Sequence, residues 1–251
     1  MPITISVVTV CRNSSASIAK TMNSIAEQIG VNVQHIIIDG ASTDGTQNIV
    51  LNSARPNVIF FSEPDNGIYD AMNKGIARAT GDIVALLNAD DHYAHSSVLR
   101  NVVQHFSTKF CDVVFGDVGF FRSNRPEKIV RRYDSSRFSP LRIGFGIMPA
   151  HPATFLKRDI YERFGVFRTD YRIAADFEFV ARIFKQNDLR FHYMDEVLVK
   201  MQTGGVSTRG IRSRITLNQE ILRACNENGI TSSPFHLACK IPFRLLELIK
   251  L

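Results

Sequence analysis

A pair of adjacent carboxylates, Asp90 and Asp91, follows a short apolar run near the middle of the chain. The run, residues 84–87, is preceded by Gly81-Asp82 and is shorter than a typical helix, so it predicts a buried β-strand. Two carboxylates at a strand end repel each other, and a divalent cation with hard oxygen ligands would stabilise them. The alternative is a polar loop, because aspartate is also common in turns and helix N-caps. This stretch alone leaves both interpretations open.

Two further predicted strands also end in polar residues. Residues 3–10 (ITISVVTV) run into the turn at 9–13, and residues 33–38 run into 39–46 (DGASTDGT). A helical pattern follows each strand, and this β–α alternation predicts a parallel sheet with covered faces. Ligands of such sheets bind outside the carboxyl ends of the strands, so the acidic residues are expected to converge on a ligand.

The remaining elements follow from apolar periodicity. Further strands are predicted at 58–61, 112–116, 118–122 paired with 128–133, 151–156 and within 189–199. Helices are predicted around 18–26, 46–50, 68–79, 96–106, 157–164, 174–184, 212–226 and 235–251. Gly81 is the predicted C-cap of the third helix.

Composition and charge narrow the class of protein. No run approaches the roughly 18 apolar residues of a membrane span, and residues 1–13 lack the basic region of a secretion signal, so we expect a cytoplasmic protein. The four cysteines have no CxxC spacing, which argues against a zinc site or a disulfide framework. No GxGxxG follows the first strand and no GxxxxGK[ST] occurs, which argues against dinucleotide oxidoreductases and P-loop NTPases.

The net charge of +6 is concentrated in residues 122–142 and in the tail. No recognition helix, RNP or zinc-finger pattern accompanies these residues, so nucleic acid is not the expected partner, whereas anionic lipid or a phosphorylated substrate is. The apolar and basic pattern of residues 240–251 suits the inner face of the cell membrane, packing on the domain, or a homodimer.

Four ordered segments resemble the inverting family 2 glycosyltransferases of the GT-A fold, in particular bacterial exopolysaccharide enzymes of the colanic-acid type. The segments are IIIDGASTDGT, SEPDNGIYDAMNKGIARATGD, LNADD and AADFEF. The resemblance implies a mainly parallel α/β sheet flanked by helices in a GT-A domain over 1–207, followed by a helical tail over 208–251. It also implies a nucleotide-sugar donor (UDP- or GDP-sugar), Mn²⁺ or Mg²⁺, and a saccharide acceptor, expected on polyprenyl diphosphate.

The same resemblance assigns donor-side residues. They are Thr9, Cys11, Arg12 and Asn13 in the first turn, Asp39 at the nucleotide base, Asp65 and Lys74 in the next segment, and Asn88 and Asp90. The implied metal ligands are Asp90 and Asp91. Asn88 stands where the family's DxD motif begins, which leaves open which aspartate holds the metal. Met72 stands where many relatives place an arginine.

Asp176 matches the family's general base, with Ala175 in place of the preceding acid. A sugar hydroxyl is a poor nucleophile, and a carboxylate within hydrogen-bond reach can accept its proton. Glu178 is the rival base and is otherwise expected, with His151, on the acceptor side. Cations stabilise a departing nucleoside diphosphate, so one base suffices for a single inverting displacement.

Two other functions remain open at this point. The departures at Asn88, Met72 and Ala175 are compatible with a non-catalytic nucleotide-binding relative that acts as a partner in polysaccharide assembly. A nucleotidyltransferase is a weaker alternative, since the chain lacks the glycine-rich, basic opening loop. A glycine turn at 203–207, with Arg209 or Arg212, is a candidate phosphate contact.

Overall fold

The computed structural model describes residues 2–53, 55–122, 125–185, 188–203 and 210–239. Its strands are β1 (Thr4–Cys11), β2 (Asn32–Asp39), β3 (Val58–Ser62), β4 (Ile83–Leu86), β5 (His92–Tyr93), β6 (Val113–Arg122), β7 (Arg125–Tyr133), β8 (Thr154–Lys157) and β9 (Phe191–Gln202). Its helices are α1 (Ile18–Ala26), α2 (Thr46–Asn52), α3 (Ile68–Ile76), α4 (Val98–Lys109), α5 (Arg158–Phe164), α6 (Ala175–Phe184), α7 (Gly210–Glu227) and α8 (Pro234–Ala238).

Over the described ranges these strands form one sheet in the order β3-β2-β1-β4-β8-β6-β9-β5, with β7 paired to β6. β1 lies parallel to β2 on one side and to β4 on the other, and β2 lies parallel to β3. The register pairs Cys11 with Asp39 and Val8 with Leu86. The carboxyl ends of these strands therefore meet at one edge, which confirms the predicted α/β sheet.

Beyond β4 the sheet becomes mixed. β8 is antiparallel to both β4 and β6, β7 is antiparallel to β6, and β9 is parallel to β6. β8 follows the β6–β7 hairpin and a series of 3-10 turns rather than a crossover helix, so it enters between β4 and β6 in the opposite direction. The predicted pairing of 118–122 with 128–133 is confirmed by the antiparallel β6–β7 ladder, whereas the sequence pattern did not indicate the directions of β8 and β9.

Helices cover both faces of the sheet. Adjacent residues of a strand point to opposite sides, so a strand that is buried on both faces contributes to two cores. Val8 of β1 packs in a core with residues of α3, α6 and α7, whereas Val7 packs in a second core with α4. α7 contributes Ile221, Ala224 and Cys225 to the first core. The segment predicted as a tail thus begins with a helix that shares the core of the sheet.

Two local predictions, the cap of α3 and the start of β8, are wrong. Gly81 does not cap α3, which ends at Ile76; a Cβ at Gly81 would lie 2.8 Å from the backbone nitrogen of Ser6, so glycine is needed for close approach to β1. The strand predicted at 151–156 begins only at Thr154, because His151–Ala153 forms a 3-10 turn that contains proline.

In the parts of the chain that the structure describes, no helix has both the length and the apolar character needed to cross a bilayer. Residues 204–207 of the predicted glycine turn, Arg209 and the amphipathic segment 240–251 lie outside the described residues.

Gly75 of α3 tests the packing of this helix on β1. Alanine is the better helix former by about 1 kcal/mol, but a Cβ at Gly75 would overlap Cγ1 of the buried Val8. Overpacking costs about 1–3 kcal/mol, so we expect Gly75→Ala to lower the free energy of unfolding in denaturant titrations. The penalty should shrink in a Val8→Ala background; an equal penalty there would rule out the packing explanation.

Candidate active site

Asp39 ends β2 and is fully buried within a shell of hydrogen-bond donors. Its Oδ2 accepts from the Ser42 backbone N–H at 2.9 Å and from the Ser62 hydroxyl at 2.7 Å. Its Oδ1 accepts from the Ser42 hydroxyl and lies 3.5 Å from the Cys11 thiol. Burial, reinforced by the charge of Asp39, raises the pKa of Cys11, so the thiol stays protonated. The ends of β1, β2 and β3 are tied together at this carboxylate.

Arg12, Asn13 and Asp65 gather beside this network. Asn13 adopts the left-handed conformation (φ 50°), and its backbone N–H donates to the Ser42 hydroxyl at 2.7 Å. The Asp65 carboxylate lies directly against the Cα of Gly40, where a Cβ would overlap Oδ2 and would also meet Arg12 Cδ at 3.4 Å. The exposed Arg12 and the half-buried Asp65 therefore flank the end of β2.

Thr9 and Lys74 have other partners. Thr9 Oγ1 lies 3.0 Å from Nε2 of His35 on β2, and burial lowers the pKa of His35 to about 3, so this imidazole is neutral. Lys74 Nζ donates to the Pro64 carbonyl at 2.8 Å and pairs with Asp70 at 3.2 Å. The Thr9 side chain is thus buried between strands, and Lys74 holds the segment between β3 and α3.

The two aspartates after β4 occupy opposite environments. Asp90 is exposed, whereas Asp91 is 1 % exposed. The hydroxyl of Thr21 on α1 lies 2.9 Å from the Ala89 carbonyl and 2.7 Å from the Asp91 carbonyl, which anchors the turn. Among the described residues, neither carboxylate oxygen of Asp91 nor the buried Oδ1 of Asn88 has a hydrogen-bond partner. Burial raises the pKa of Asp91 well above its usual range, and the charge of Asp90 adds to the shift.

This turn fits a divalent cation that is shared with a substrate. Within the described ranges, no three histidine, cysteine or acidic side chains are arranged to hold a metal ion by themselves. Mg²⁺ and similar ions bound with nucleotides need only one or two protein carboxylates, since phosphate and water oxygens complete the coordination. This turn contains the exposed carboxylate of Asp90 together with buried oxygens of Asn88 and Asp91 that have no partner among the described residues, which is that kind of donor set.

Asp176 lies in the first turn of α6. Its Oδ1 accepts from the Phe177 backbone N–H at 2.8 Å and lies 3.3 Å from the Tyr69 hydroxyl. The same hydroxyl lies 2.5 Å from the Ile173 carbonyl, so both acceptors compete for its single hydrogen. Burial and the Asp176 charge raise the pKa of Tyr69, which stays a donor. Tyr69 thereby joins α3, next to the donor-side segment, to the start of α6.

His151 lies on the same side as Asp176. Burial lowers its pKa, and the nearby charge of Asp176 opposes that shift, which places the two groups within electrostatic range. The His151 ring packs edge-on against Phe167, with centroids 5.6 Å apart. His151 also lines a small cavity with Leu86, the last residue of β4. The part of the chain that carries His151 and Asp176 therefore lies next to β4, the strand that leads to Asp90.

Residues 6–169 match the family model described as glycosyl transferase family 2. The chain belongs to this family and is a glycosyltransferase. The match includes the donor-side residues and His151 but ends before Asp176.

Relatives and solved structures agree with this family. A PGL/p-HBAD biosynthesis glycosyltransferase of Mycobacterium bovis is 31 % identical over 201 residues, which cover 78 % of this chain and 75 % of the relative. Glycosyltransferase AglE of Haloferax volcanii is 27 % identical over 187 residues, which cover 71 % of this chain and 60 % of the relative.

Two solved structures show the GT-A type of fold. S. aureus TarS in complex with UDP-GlcNAc aligns with a TM-score of 0.69 and 16 % identity, over 88 % of this chain and 66 % of that chain. The mannosyltransferase PcManGT from Pyrobaculum calidifontis, in complex with GDP-Man and Mn²⁺, aligns with a TM-score of 0.66 and 21 % identity, over 99 % of this chain and 70 % of that chain.

Glu178 of this glycosyltransferase is held in an internal ion pair. It is 2 % exposed, and its two oxygens accept from Nε and Nη2 of Arg182 at 3.0 and 2.9 Å. Arg182 also donates to the carbonyls of Phe164 and Val166, so it ties α6 to the end of α5. Asp176, by contrast, is only partly buried. The structure therefore separates two acidic residues that are two positions apart in sequence.

Tyr69 was missed by sequence reasoning. It lies inside the SEPDNGIYDAMNKG segment, but nothing local indicates that its hydroxyl reaches Asp176, 107 residues later. Met72, where an arginine was the family expectation, is 3 % exposed and packs in the core.

Tyr69→Phe should remove a buried donor from the Ile173 carbonyl and lower the free energy of unfolding by about 1–2 kcal/mol. Tyr161→Phe is the matched control, because the buried Tyr161 hydroxyl has no hydrogen-bond partner among the described residues. We expect that variant to be neutral or slightly stabilised in the same denaturant titration. Equal losses in both variants would contradict the assigned contacts of Tyr69.

Proposed function

We propose that this chain is a metal-dependent, inverting glycosyltransferase that moves a sugar from a nucleotide-sugar donor to a hydroxyl of a saccharide acceptor. The observation that carries the proposal is that two parts of the site lie next to each other. The first part is formed by the strand ends with Asp39, Asp65 and Asp90, and the second part carries His151 and Asp176. The TarS and PcManGT structures contain UDP-GlcNAc and GDP-Man, which supports a nucleotide sugar as the donor.

In this proposal the nucleotide base lies at the end of β2. Asp39 already accepts hydrogen bonds from Ser42, Ser62 and the Cys11 thiol, so its geometry is fixed before the donor arrives. For the base edge to reach this carboxylate, the hydroxyl of Ser42 or Ser62 turns away and the base takes its place. Arg12 and Asp65, on either side of Gly40, are the adjacent donor contacts.

We infer that Asp90, rather than Asp91, supplies the carboxylate that holds Mn²⁺ or Mg²⁺. A ligand shared with the diphosphate has to be accessible, and Asp90 is exposed whereas Asp91 is buried. Burial raises the pKa of Asp91, and a cation bound nearby would favour its ionised form. A bound divalent ion would neutralise the charge that develops on the departing diphosphate.

Asp176 is the proposed general base. It accepts the proton of the acceptor hydroxyl as that oxygen bonds to the anomeric carbon and the bond from this carbon to the diphosphate oxygen breaks. Among its contacts with described residues, both fall on Oδ1, which leaves Oδ2 to accept the proton. Glu178 is bound to Arg182 and is not suited to this role.

The acceptor is proposed to be a saccharide on polyprenyl diphosphate at the cytoplasmic face of the membrane, in surface polysaccharide synthesis. The resemblance to exopolysaccharide enzymes supports this, as do the basic residues of the 125–142 region, which suit contact with an anionic phosphate. The mycobacterial relative is named for the biosynthesis of PGL/p-HBAD.

Asp176→Asn should retain donor binding, whereas the rate of sugar transfer should fall on the order of 10²–10⁴-fold. Donor binding is measured by thermal shift with a panel of sugar nucleotides and Mn²⁺, and transfer by release of nucleoside diphosphate in the presence of saccharide acceptors. Glu178→Gln is the control: it should lower the melting temperature because Arg182 loses its partner, while transfer per folded molecule changes less.

Undiminished transfer by Asp176→Asn would remove the assigned base. If the wild-type chain binds nucleotide yet releases none from any sugar nucleotide of the panel, a non-catalytic nucleotide-binding function is favoured instead.

The adjacent aspartates form a matched pair for metal binding. Asp90→Asn should abolish the extra thermal stabilisation that Mn²⁺ gives in the presence of nucleoside diphosphate. Asp91→Asn should raise the melting temperature of the metal-free protein at pH 7, because burying an unpaired ionised carboxylate is costly. Its raised pKa means that this gain disappears at low pH, where Asp91 is already protonated. The opposite assignment of the two effects would identify Asp91 as the ligand.

A further inference from the structure

The helix that carries Asp176 lacks a cap of its own. The N-cap position of α6 is Ala174, whose side chain makes no capping hydrogen bond. The amides at a helix start have no partner inside the helix, and serine, threonine, asparagine or aspartate normally supplies one. Ala174 is fully buried in the core, so its position serves packing rather than capping.

Glu220 of α7 instead binds the amides that lead into α6, although it lies 46 residues beyond Ala174 in sequence. Its Oε1 accepts from the Arg172 N–H at 2.7 Å, and its Oε2 accepts from the Ile173 and Ala174 N–H groups at 2.9 and 2.8 Å. These bonds are charge-assisted, and such bonds are roughly twice as strong as those between neutral groups. One carboxylate therefore binds the amides of the three consecutive residues that directly precede α6.

Further residues on α7 hold the preceding part of the same segment. Arg223 binds the Asp170 carboxylate, and Glu227 accepts from the Tyr171 hydroxyl at 2.7 Å and from Arg168 at 2.6 Å. Residues 220, 223 and 227 lie on one face of a helix because of their spacing. The segment 168–174 is thus bound along α7.

The opposite side of this segment is bound by Tyr69. Its hydroxyl lies 2.5 Å from the Ile173 carbonyl, whereas the Ile173 amide donates to Glu220. The backbone before the proposed base is therefore held on its amide side by α7 and on its carbonyl side by α3. A shift of Glu220 would move the start of α6, and Asp176 lies only two residues beyond Ala174.

We propose that Glu220 is a positioning residue that sets the location of the Asp176 carboxylate, which makes α7 part of the catalytic unit rather than an appendage. This inference rests on the proposed role of Asp176 as the general base. Glu220 acts through the backbone of residues 172–174 and does not touch the substrate. Misplacement of a catalytic group by about 1 Å can cost on the order of 100-fold in rate.

The test compares Glu220→Ala and Glu220→Gln with Gln219→Ala, a change at the exposed neighbour. We expect Glu220→Ala to lower kcat on the order of 10- to 100-fold with the donor KM unchanged. Glu220→Gln should fall between Glu220→Ala and wild type, since one oxygen still accepts, and it carries the test if the alanine variant does not fold. Gln219→Ala should behave as wild type.

Two readouts separate positioning from general stability. In an Asp176→Asn background, Glu220→Ala should cause no further loss of transfer, because both changes act through the same carboxylate. In hydrogen exchange of the folded protein, the amides of 172–177 should exchange at least about tenfold faster in Glu220→Ala, with other core helices unaffected. Losses that multiply in the double variant, or unchanged exchange at 172–177, would overturn the proposal.

The proposed function fails in a different way. A wild-type chain without transfer, or full transfer by Asp176→Asn, refutes the enzyme mechanism. The exchange experiment needs no turnover, so it tests the Glu220 contact in either case. Wild-type kcat in Glu220→Ala, with Asp176→Asn inactive, overturns the positioning role alone.

Discussion

The parallel pairing of β1 with both β2 and β4 is the constraint on which the rest of the site depends. It aligns Cys11 with Asp39 and Val8 with Leu86, so the turns that follow these strands are forced to the same edge of the sheet. The bonds that Asp39 accepts from Cys11 of β1 and Ser62 of β3 depend on the alignment of β2 with both neighbours, and neither could form if one of these strands were shifted by a residue. The convergence of acidic residues at this edge is therefore a consequence of strand register.

Two buried carboxylates at this edge differ in their hydrogen-bond partners. Asp39 is surrounded by donors, whereas Asp91 has none among the described residues. A satisfied carboxylate is rigid and suits recognition of a defined hydrogen-bonding edge, while an unsatisfied one favours a nearby cation. Under the proposed function this difference matches the needs of a nucleotide-sugar donor, whose base presents a hydrogen-bonding edge and whose diphosphate requires positive charge.

The part of the site that carries His151 and Asp176 is held in place by contacts between distant parts of the chain. Tyr69 of α3 and Glu220 of α7 meet at the peptide groups before α6, and Arg182 ties the same helix to the end of α5. The family match ends at residue 169, before Asp176, α6 and α7. The match thus covers the strand ends with Asp39, Asp65 and Asp90, and the described structure shows how the segment that carries Asp176 is held next to α3.

Apolar periodicity and the ordered motifs were enough to predict the α/β sheet, its acidic strand ends and the glycosyltransferase family, because strand and helix patterns are local and record which faces are buried. The ordered motifs also favoured Asp176 over Glu178 as the base. Only the tertiary structure showed that Asp90 is exposed and Asp91 buried, and that Glu178 is bound to Arg182, since burial and ion pairing depend on how the chain packs. The antiparallel entry of β8 and the binding of the amides before α6 by Glu220 have the same cause: a local pattern carries no information about which distant segment will supply a partner. That information arises only when the packed chain brings the two segments together.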